Sequence, residues 1–318
     1  MFVTDLQSYL LRLIASALRL RLFLAPMSRL NILLLLTVGL FARLTHAQTP
    51  AVLRGQAVDA ATGRPLPYAS VGVLHRPVGT VADGDGRFTL AVPSQYDADS
   101  LRISLVGYQA YAATVNQFRR RACPAEAAAC AVALAANTAL AEVVVRPQGQ
   151  AKRRVLGNSV VTPGVVGKFS SNALGNQIGQ RIRIKYPTVI EQVSFRLRRC
   201  TYDSVFYRVN VYRLGPDGLP DERRSVLPEA VYVRLDKAQT AGRIRVDLSR
   251  YQLWLDPGQD VAVCLELVRD LGSGELWYAG TFPYGGPAFG KEEGIGGKWN
   301  KTAAFGAGVD ATVTEIRP

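Results

Sequence analysis

With 48% hydrophobic and 20% charged residues over 318 positions, the chain has the composition of a folded protein, which excludes a disordered one. Its net charge of +13 suits acidic partners such as lipopolysaccharide or anionic glycans, but no helix or loop concentrates that charge. Nucleic-acid motifs are missing, so a nucleic-acid partner is set aside.

At the amino terminus, Met27-Ser-Arg-Leu-Asn-Ile-Leu-Leu-Leu-Leu-Thr-Val-Gly-Leu-Phe41 has a positive start and a short apolar core, and Thr45-His-Ala47 supplies the small residues of a cleavage site. This pattern predicts a secretory signal peptide cleaved after Ala47, with translation starting at Met27. The competing reading of residues 1–26 is an extra membrane-associated helix. Without residues 1–47 an excess of nine positive charges remains, 33 Lys and Arg against 24 Asp and Glu.

From Ala51 onward the pattern is that of strands. Val52, Arg54, Gln56 and Val58 alternate with Leu53, Gly55 and Ala57, and Leu101-Arg-Ile-Ser-Leu-Val106 has period 2. Thr62-Gly63 with Pro65 is turn chemistry, and Asp83-Gly84 and Asp85-Gly86 suit a tight hairpin. The paired aspartates also suggest calcium, but the other ligands of an EF-hand loop are missing. Short strands at this spacing predict an all-β sandwich.

Gly55, Asp59, Thr62-Gly63, Pro65-Leu66, Ala69-Ser-Val71, Gly79-Thr80, Asp83, Gly86-Arg-Phe88 and Ile103-Ser-Leu-Val-Gly-Tyr108, in this order, resemble the carboxypeptidase regulatory-like domain. The resemblance implies a transthyretin-like, prealbumin-like seven-stranded sandwich over residues 48–145. Leu140-Ala-Glu-Val-Val-Val145 resembles the segment that follows such domains in bacterial TonB-dependent outer-membrane receptors. The family name does not bring a peptidase with it. A catalytic zinc takes three protein ligands, and His75 is the single histidine after residue 47. The expectation is therefore a protein without cofactor, metal or enzymatic activity.

Gln117 to Cys130 departs from the family pattern. It inserts Phe118-Arg-Arg-Arg121 and a loop bounded by Cys123 and Cys130, which in an exported protein are expected to pair as a small disulfide. Arg146-Pro-Gln-Gly-Gln-Ala-Lys-Arg-Arg154 has connector composition, predicting a linker over 146–157.

Residues 158–318 again read as strands. Val205, Tyr207, Val209 and Val211 share a face, as do Val261, Val263, Leu265 and Leu267, predicting a jelly-roll-like sandwich. A serine triad lacks its histidine. A carboxylate pair, Glu266 with Asp247 or Glu275, would allow glycoside hydrolysis, although Glu266 falls on the phase that is usually solvated. Cys200 and Cys264 form either a cross-strand disulfide or two free thiols. Between Leu276 and Trp299, alternation assigns Tyr278 and Phe282 to the core and leaves Trp277, Tyr284 and Trp299 as candidate ligand-binding rings.

The favoured function is an exported, non-enzymatic binding or assembly module of the cell envelope of a Gram-negative-type bacterium. It would stand in the periplasm, at the outer membrane or on the cell surface, with a glycan or another envelope protein as partner. The alternatives are a glycan-processing hydrolase and a purely structural envelope protein.

Overall fold

A computed structural model describes residues 51–121, 130–137, 149–170, 174–240, 242–269, 272–283, 285–292 and 296–318. The expected signal region, Cys123 and Tyr284 lie outside the described residues.

The first half contains β1 (Ala51–Asp59), β2 (Ser70–Val73), β3 (Gly79–Val81), β4 (Arg87–Val92), β5 (Ser100–Ser104), β6 (Tyr111–Thr114), the short helix α1 (Val115–Arg119) and β7 (Cys130–Leu134). These form a three-stranded sheet, β4-β1-β7, and a four-stranded sheet, β3-β2-β5-β6. Inward residues Leu53, Ala57, Val71, Val73, Phe88, Leu90, Leu101, Ile103 and Val132 build one core between them, as the period-2 pattern requires. This is the expected seven-stranded sandwich.

Local chemistry explains its turns. The Asp59 carboxylate accepts hydrogen bonds from the Ala61 and Thr62 amides at 2.9 and 2.8 Å and from the Tyr108 hydroxyl at 3.0 Å. That closes the Asp59–Gly63 turn onto the segment between β5 and β6. The Asp83 carboxylate is occupied likewise, by the Asp85 and Arg87 amides at 2.9 and 2.8 Å, so this motif is an Asx turn. His75 is exposed at positive φ, beyond β2.

The insertion differs from expectation. Gln117–Arg119 belong to α1, capped by a reciprocal Thr114–Gln117 box, and Phe118 is buried in the core. Arg119 pairs with Asp97 at 2.6 Å, and Arg121 lies over Tyr111 at 5.6 Å. These two arginines are therefore engaged within the protein.

The second half contains β8 (Gln150–Gly157), β9 (Val166–Ser170), β10 (Gln177–Ile182), β11 (Thr188–Cys200), β12 (Ser204–Leu214), β13 (Pro220–Ser225), β14 (Val231–Asp236) and β15 (Gly242–Asp247). It continues with β16 (Leu253–Leu255), β17 (Val261–Leu267), β18 (Glu275–Thr281), β19 (Ala288–Lys291), β20 (Trp299–Thr302), β21 (Gly306–Ala307) and β22 (Val309–Arg317). A seven-stranded sheet runs β13-β12-β17-β10-β19-β20 with β14 also on β12. An eight-stranded sheet runs β21-β18-β11-β22-β8, with β15 and β16 also on β11 and β9 on β18. Their facing residues, including Ile190, Phe195, Tyr207, Val209, Val263, Leu265 and Val313, form the second core.

The expected linker is corrected here. From Gln150 to Gly157 the chain is strand β8, hydrogen-bonded to β22 along its whole length, Gln150 opposite Arg317 and Gly157 opposite Asp310. This edge strand is exposed along most of its length, with only Leu156 half-buried against the core, so it needs little apolar content. Lys152, Arg153 and Arg154 therefore look like connector residues while pairing as a strand. The second sandwich begins at Gln150, and residues 50–318 form one compact unit.

Candidate functional site

The alternation of β12 and β17 that buries Val205, Tyr207, Val209, Val263 and Leu265 sends Phe206, Arg208, Asn210, Cys264 and Glu266 to the opposite face of the seven-stranded sheet. Register places Arg208 directly opposite Glu266, and Glu266 opposite Gln177 of β10. In an isolated sandwich this face would be wet. Here β2 of the first sandwich lies on it, and Arg208 and Glu266 are 3% and 2% exposed.

Burial demands that these charges be paired and their lone pairs used. Arg208 Nε donates to Glu266 Oε2 at 3.0 Å and Nη2 to Oε1 at 2.7 Å. Nη1 donates to the Tyr68 carbonyl at 2.8 Å, and Nη2 also reaches Ser70 Oγ at 2.5 Å. Asn210 Nδ2 donates to Glu266 Oε2 at 2.8 Å and to Gln177 Oε1 at 3.1 Å. Burial alone would lower the Arg208 pKa, but the Glu266 charge and hydrogen bond outweigh it and raise the value. The guanidinium is a cation that joins two strands of one sandwich to β2 of the other.

Aromatic packing flanks this clamp. Tyr68, held at φ 59°, lies 4.9 Å from Phe206 and 5.4 Å from Tyr232 between ring centroids, and Phe206 stacks on Tyr232 at 12°. The left-handed backbone at Tyr68 is unusual for a residue with a side chain, and the carbonyl of that residue accepts the Arg208 bond. Two glycines allow further close approach. A Cβ on Gly107 would stand 2.8 Å from the Pro228 carbonyl oxygen, and one on Gly296 would overlap the carbonyl oxygens of Val73 and Arg76.

Beside the clamp opens a cleft of ≈ 640 Å³. Ser70, Arg102, Ser104, Tyr108, Gln109 and Asn137 line it from the first sandwich. Gln177, Arg208, Tyr212, Glu222 and Glu266 line it from the second. Burial raises the Tyr212 phenol well above its ordinary value, and the charges of Glu266 and Glu222 push it the same way. Tyr212 is therefore a neutral donor at neutral pH.

Both carboxylates of the cleft already hold cations. Glu222 Oε1 takes the Lys291 ammonium and, at 3.1 Å, the Trp299 indole N–H, and Lys291 lies 5.7 Å from the centre of that ring. The expected carboxylate pairs are not assembled. Asp247 ends β15 and accepts from the Ser249 amide at 2.9 Å, and Glu275 heads β18 of the eight-stranded sheet, whereas Glu266 is on the other sheet. The solvated placing of Glu266 is also overturned, because β17 is buried on both faces.

The candidate rings are likewise dispersed. Trp299 is half-buried on the seven-stranded sheet, edge-on to Tyr212 at 6.3 Å and to Phe289 at 6.5 Å, in a small third core with Cys264 and Ala262. Trp277 is half-buried on the eight-stranded sheet. Its indole N–H donates to Glu275 Oε2 at 3.0 Å, and Lys168 lies 5.7 Å above its ring. Tyr284, the third candidate, is outside the described residues. Phe282, expected in the core, is 56% exposed, because β18 ends at Thr281 and its alternation stops there. Tyr278 packs against the core as expected, and burial pushes its phenol up to about 12.

Of the cysteines, Cys200 and Cys264 are free thiols on different sheets. Burial, then the charges of Glu222 and Glu266, raise the Cys264 thiol well above its ordinary value. Cys130 is disulfide-bonded and opens β7 rather than lying outside a strand; Cys123 falls outside the described residues.

Sequence reasoning passed over Tyr68, Ser70, Arg208, Glu222 and Lys291. A signal was present: Arg208 and Glu266 each occur in the middle of an apolar-alternating strand, where a charge on an open face and a charge under a partner look alike.

Residues 53–145 match the family model of the CarboxypepD_reg-like domain. No curated protein matches the chain. Among solved structures, infectious bursal disease virus of the Gx strain is 10% identical with a TM-score of 0.25, over 83% of this chain and 64% of that one. The VP2 subviral particle of that virus is also 10% identical, with a TM-score of 0.21 over 85% and 65%. The chain thus spans less than two thirds of either viral chain. A structure titled for carbohydrate-binding modules of the β-sandwich superfamily is 9% identical, with a TM-score of 0.17 over 73% and 96%.

Proposed function

We propose that the carboxypeptidase regulatory-like sandwich and the sandwich that follows it act as one rigid, exported, non-enzymatic binding or assembly module of the bacterial envelope. The cleft between them takes a glycan or a segment of another envelope protein, and of the two we favour the glycan. The observation that carries this reading is the buried Arg208–Glu266 clamp. It fixes the two walls against each other, so the cleft is pre-formed and little ordering accompanies binding.

The lining supports the choice of ligand. Ser104, Gln109, Asn137 and Gln177 offer neutral donors and acceptors, and Tyr108 and Tyr212 add ring surface with a hydroxyl. Sugars are recognised by such mixtures of hydrogen bonding and ring contact. Against the hydrolase alternative stand the carboxylates themselves: Glu222 and Glu266 are each tied to a buried cation and to a second donor, whereas hydrolysis needs one acid free to give up a proton. Export rests on the sequence pattern of residues 27–47.

The test is binding to an array of bacterial envelope glycans by the wild type and by Ser104→Trp, whose added ring would fill the cleft, with released sugar measured in parallel. Binding that the variant loses while its melting temperature holds supports the reading. Binding equal in both proteins moves the site elsewhere, and catalytic release of sugar replaces this function with hydrolysis.

A further inference from the structure

At the end of the seven-stranded sheet, apart from the cleft, a second hollow of ≈ 350 Å³ lies between the β12–β13 turn and the turn before β17. Its walls are the side chains of Arg181, Arg213 and Arg224 with the glycine-containing turns at 215–218 and 258–259. Asp260 is its single acidic lining residue, and that carboxylate is committed. Oδ2 takes Arg181 Nε at 2.8 Å and also Nη2, and Oδ1 takes the Ile184 amide at 2.8 Å.

The other two guanidinium groups are unanswered. Among the described residues neither Arg213 nor Arg224 has an ion-pair partner. Of the nearby acids, Asp221 pairs with Arg223 and Glu222 with Lys291, while Asp217 accepts the Leu219 amide and pairs with no cation among the described residues. A further cation borders the site, since a Cβ on Gly218 would lie 3.4 Å from Lys301 Nζ. Lys301 too lacks an ion pair among the described residues.

The arrangement has a clear origin in the strands. Arg213 continues the inward phase of Val209 and Val211 but stands near the end of β12, half-buried and lining the hollow. Arg181 comes from β10 and Arg224 from β13, so three separate strands converge on one hollow. Beyond the Arg181–Asp260 pair, the charges of Arg213, Arg224 and Lys301 repel one another and lower the stability of the compact state. An anion bound among them would remove that repulsion, and arginine forks match the paired oxygens of a tetrahedral oxyanion.

We infer that this hollow is an anion site for a phosphate or sulfate group, as a free ion or as an ester. This ligand is independent of whatever occupies the cleft. Lysine would serve a lone point charge, whereas the two uncommitted arginines, Arg213 and Arg224, facing one hollow suit a group with several oxygen pairs. A surface cluster acting by net charge alone would show no preference between a compact oxyanion and any other polyanion.

Calorimetric titration at about 150 mM salt with inorganic phosphate, inorganic sulfate, a sulfated oligosaccharide and its desulfated counterpart tests the inference. The sulfated oligosaccharide should bind, the desulfated one should not, and inorganic phosphate or sulfate should compete for the same site. Arg213→Gln with Arg224→Gln should weaken binding about tenfold or more, and Lys301→Gln severalfold. Arg54→Gln with Arg64→Gln, two exposed arginines of the first sandwich, removes equal charge and should change it less than about twofold. Melting curves check that every variant is folded. Equal losses in both double variants would show a net-charge effect and overturn the site. So would an oligosaccharide that inorganic phosphate and sulfate cannot displace, or wild-type protein that binds none of the probes. Inorganic ions binding as tightly as the oligosaccharide would support the site and identify its occupant as a free ion, and weaker inorganic binding would support the site and identify an ester.

Discussion

On the eight-stranded sheet, Lys168 reaches Glu275 at 3.0 Å while Trp277 donates to the same carboxylate and lies beneath the ammonium. On the seven-stranded sheet, Lys291, Glu222 and Trp299 repeat that triangle, again with the ammonium 5.7 Å from the ring centre. The surroundings differ. The side chains of Lys168 and Glu275 are 47% and 39% exposed, and those of Lys291 and Glu222 only 2% and 14%. One set of bonds therefore competes with water and salt at every moment, and the other is largely withdrawn from water, where a lost partner is not readily replaced. Identical contacts should then have very different consequences when broken, and the covering of a sheet face, not its residue types, sets the scale.

The widest departure is expected at the clamp, where the covered face is most deeply sealed. Arg208→Met should destabilise the fold by roughly 3–5 kcal/mol, because it leaves Glu266 buried and uncompensated. Adding Glu266→Leu should recover much of that loss, since the stranded charge is gone. Urea midpoints at constant slope would show it. A mild effect of the single variant would mean that water reaches the face, and the contrast between the two sheets would collapse.

Next comes the direct comparison of the triangles. Lys291→Met should cost roughly 2–4 kcal/mol, whereas Lys168→Met should leave the urea midpoint nearly unchanged at physiological salt. The sequence signatures of the two sites also differ. Glu275 and Trp277 sit two apart on one strand and meet through alternation alone, so their contact could be drawn from the sequence. Glu222, Lys291 and Trp299 come from three strands and meet only once the sheet is ordered. Equal effects of the two lysine variants would show that burial is not the deciding variable.

A smaller change tests how firmly the cover is seated. Gly296 packs against the carbonyl oxygens of Val73 and Arg76, and Gly296→Ala should cost about 1–3 kcal/mol by forcing that turn away. Gly290 has open space around the same hypothetical methyl group, so Gly290→Ala serves as the paired control in a melting experiment and should change little.

The smallest effect is expected at Glu275. Hydrogen bonds from Lys168 and Trp277 lower its pKa. A folded-state value below the unfolded one contributes stability at neutral pH that disappears as pH falls through the folded value. The difference in melting temperature between wild type and Glu275→Gln should accordingly be slight at pH 7 and vanish in acid. A difference that grows on acidification would reverse the assigned sign.

These contrasts also explain what could be read before the structure. Strands with one phase of Val, Leu and Tyr, such as Val205 to Val211, announced themselves because alternation is a property of the strand alone. Thr62, Gly63 and Pro65 announced a turn because turn chemistry is local. Glu266 was placed in water because a strand carries no record of what lies over its second face; that depends on where β2 of the other sandwich arrives. Lys152 to Arg154 were placed in a connector because an edge strand lacks the apolar phase on which recognition depends. Phe282 was placed in the core because the period was carried one residue past the end of β18. The misses at Glu266 and at Lys152 to Arg154 fall where assembly of distant strands decides the outcome, and the miss at Phe282 falls at a strand end.

Strand β8 completes the eight-stranded sheet on one side, and its far edge has no strand against it among the described residues. Exposed edges are where separate molecules can zip together into growing sheets. Here the edge is occupied by Lys152, Arg153 and Arg154 in succession, so an approaching identical strand would bring like charges face to face, whichever way it ran. The same three residues that disguise β8 as a tether thus act as a guard against fibril growth, and a chain trimmed at residue 158 would lose that guard together with one of the two strands paired to β22.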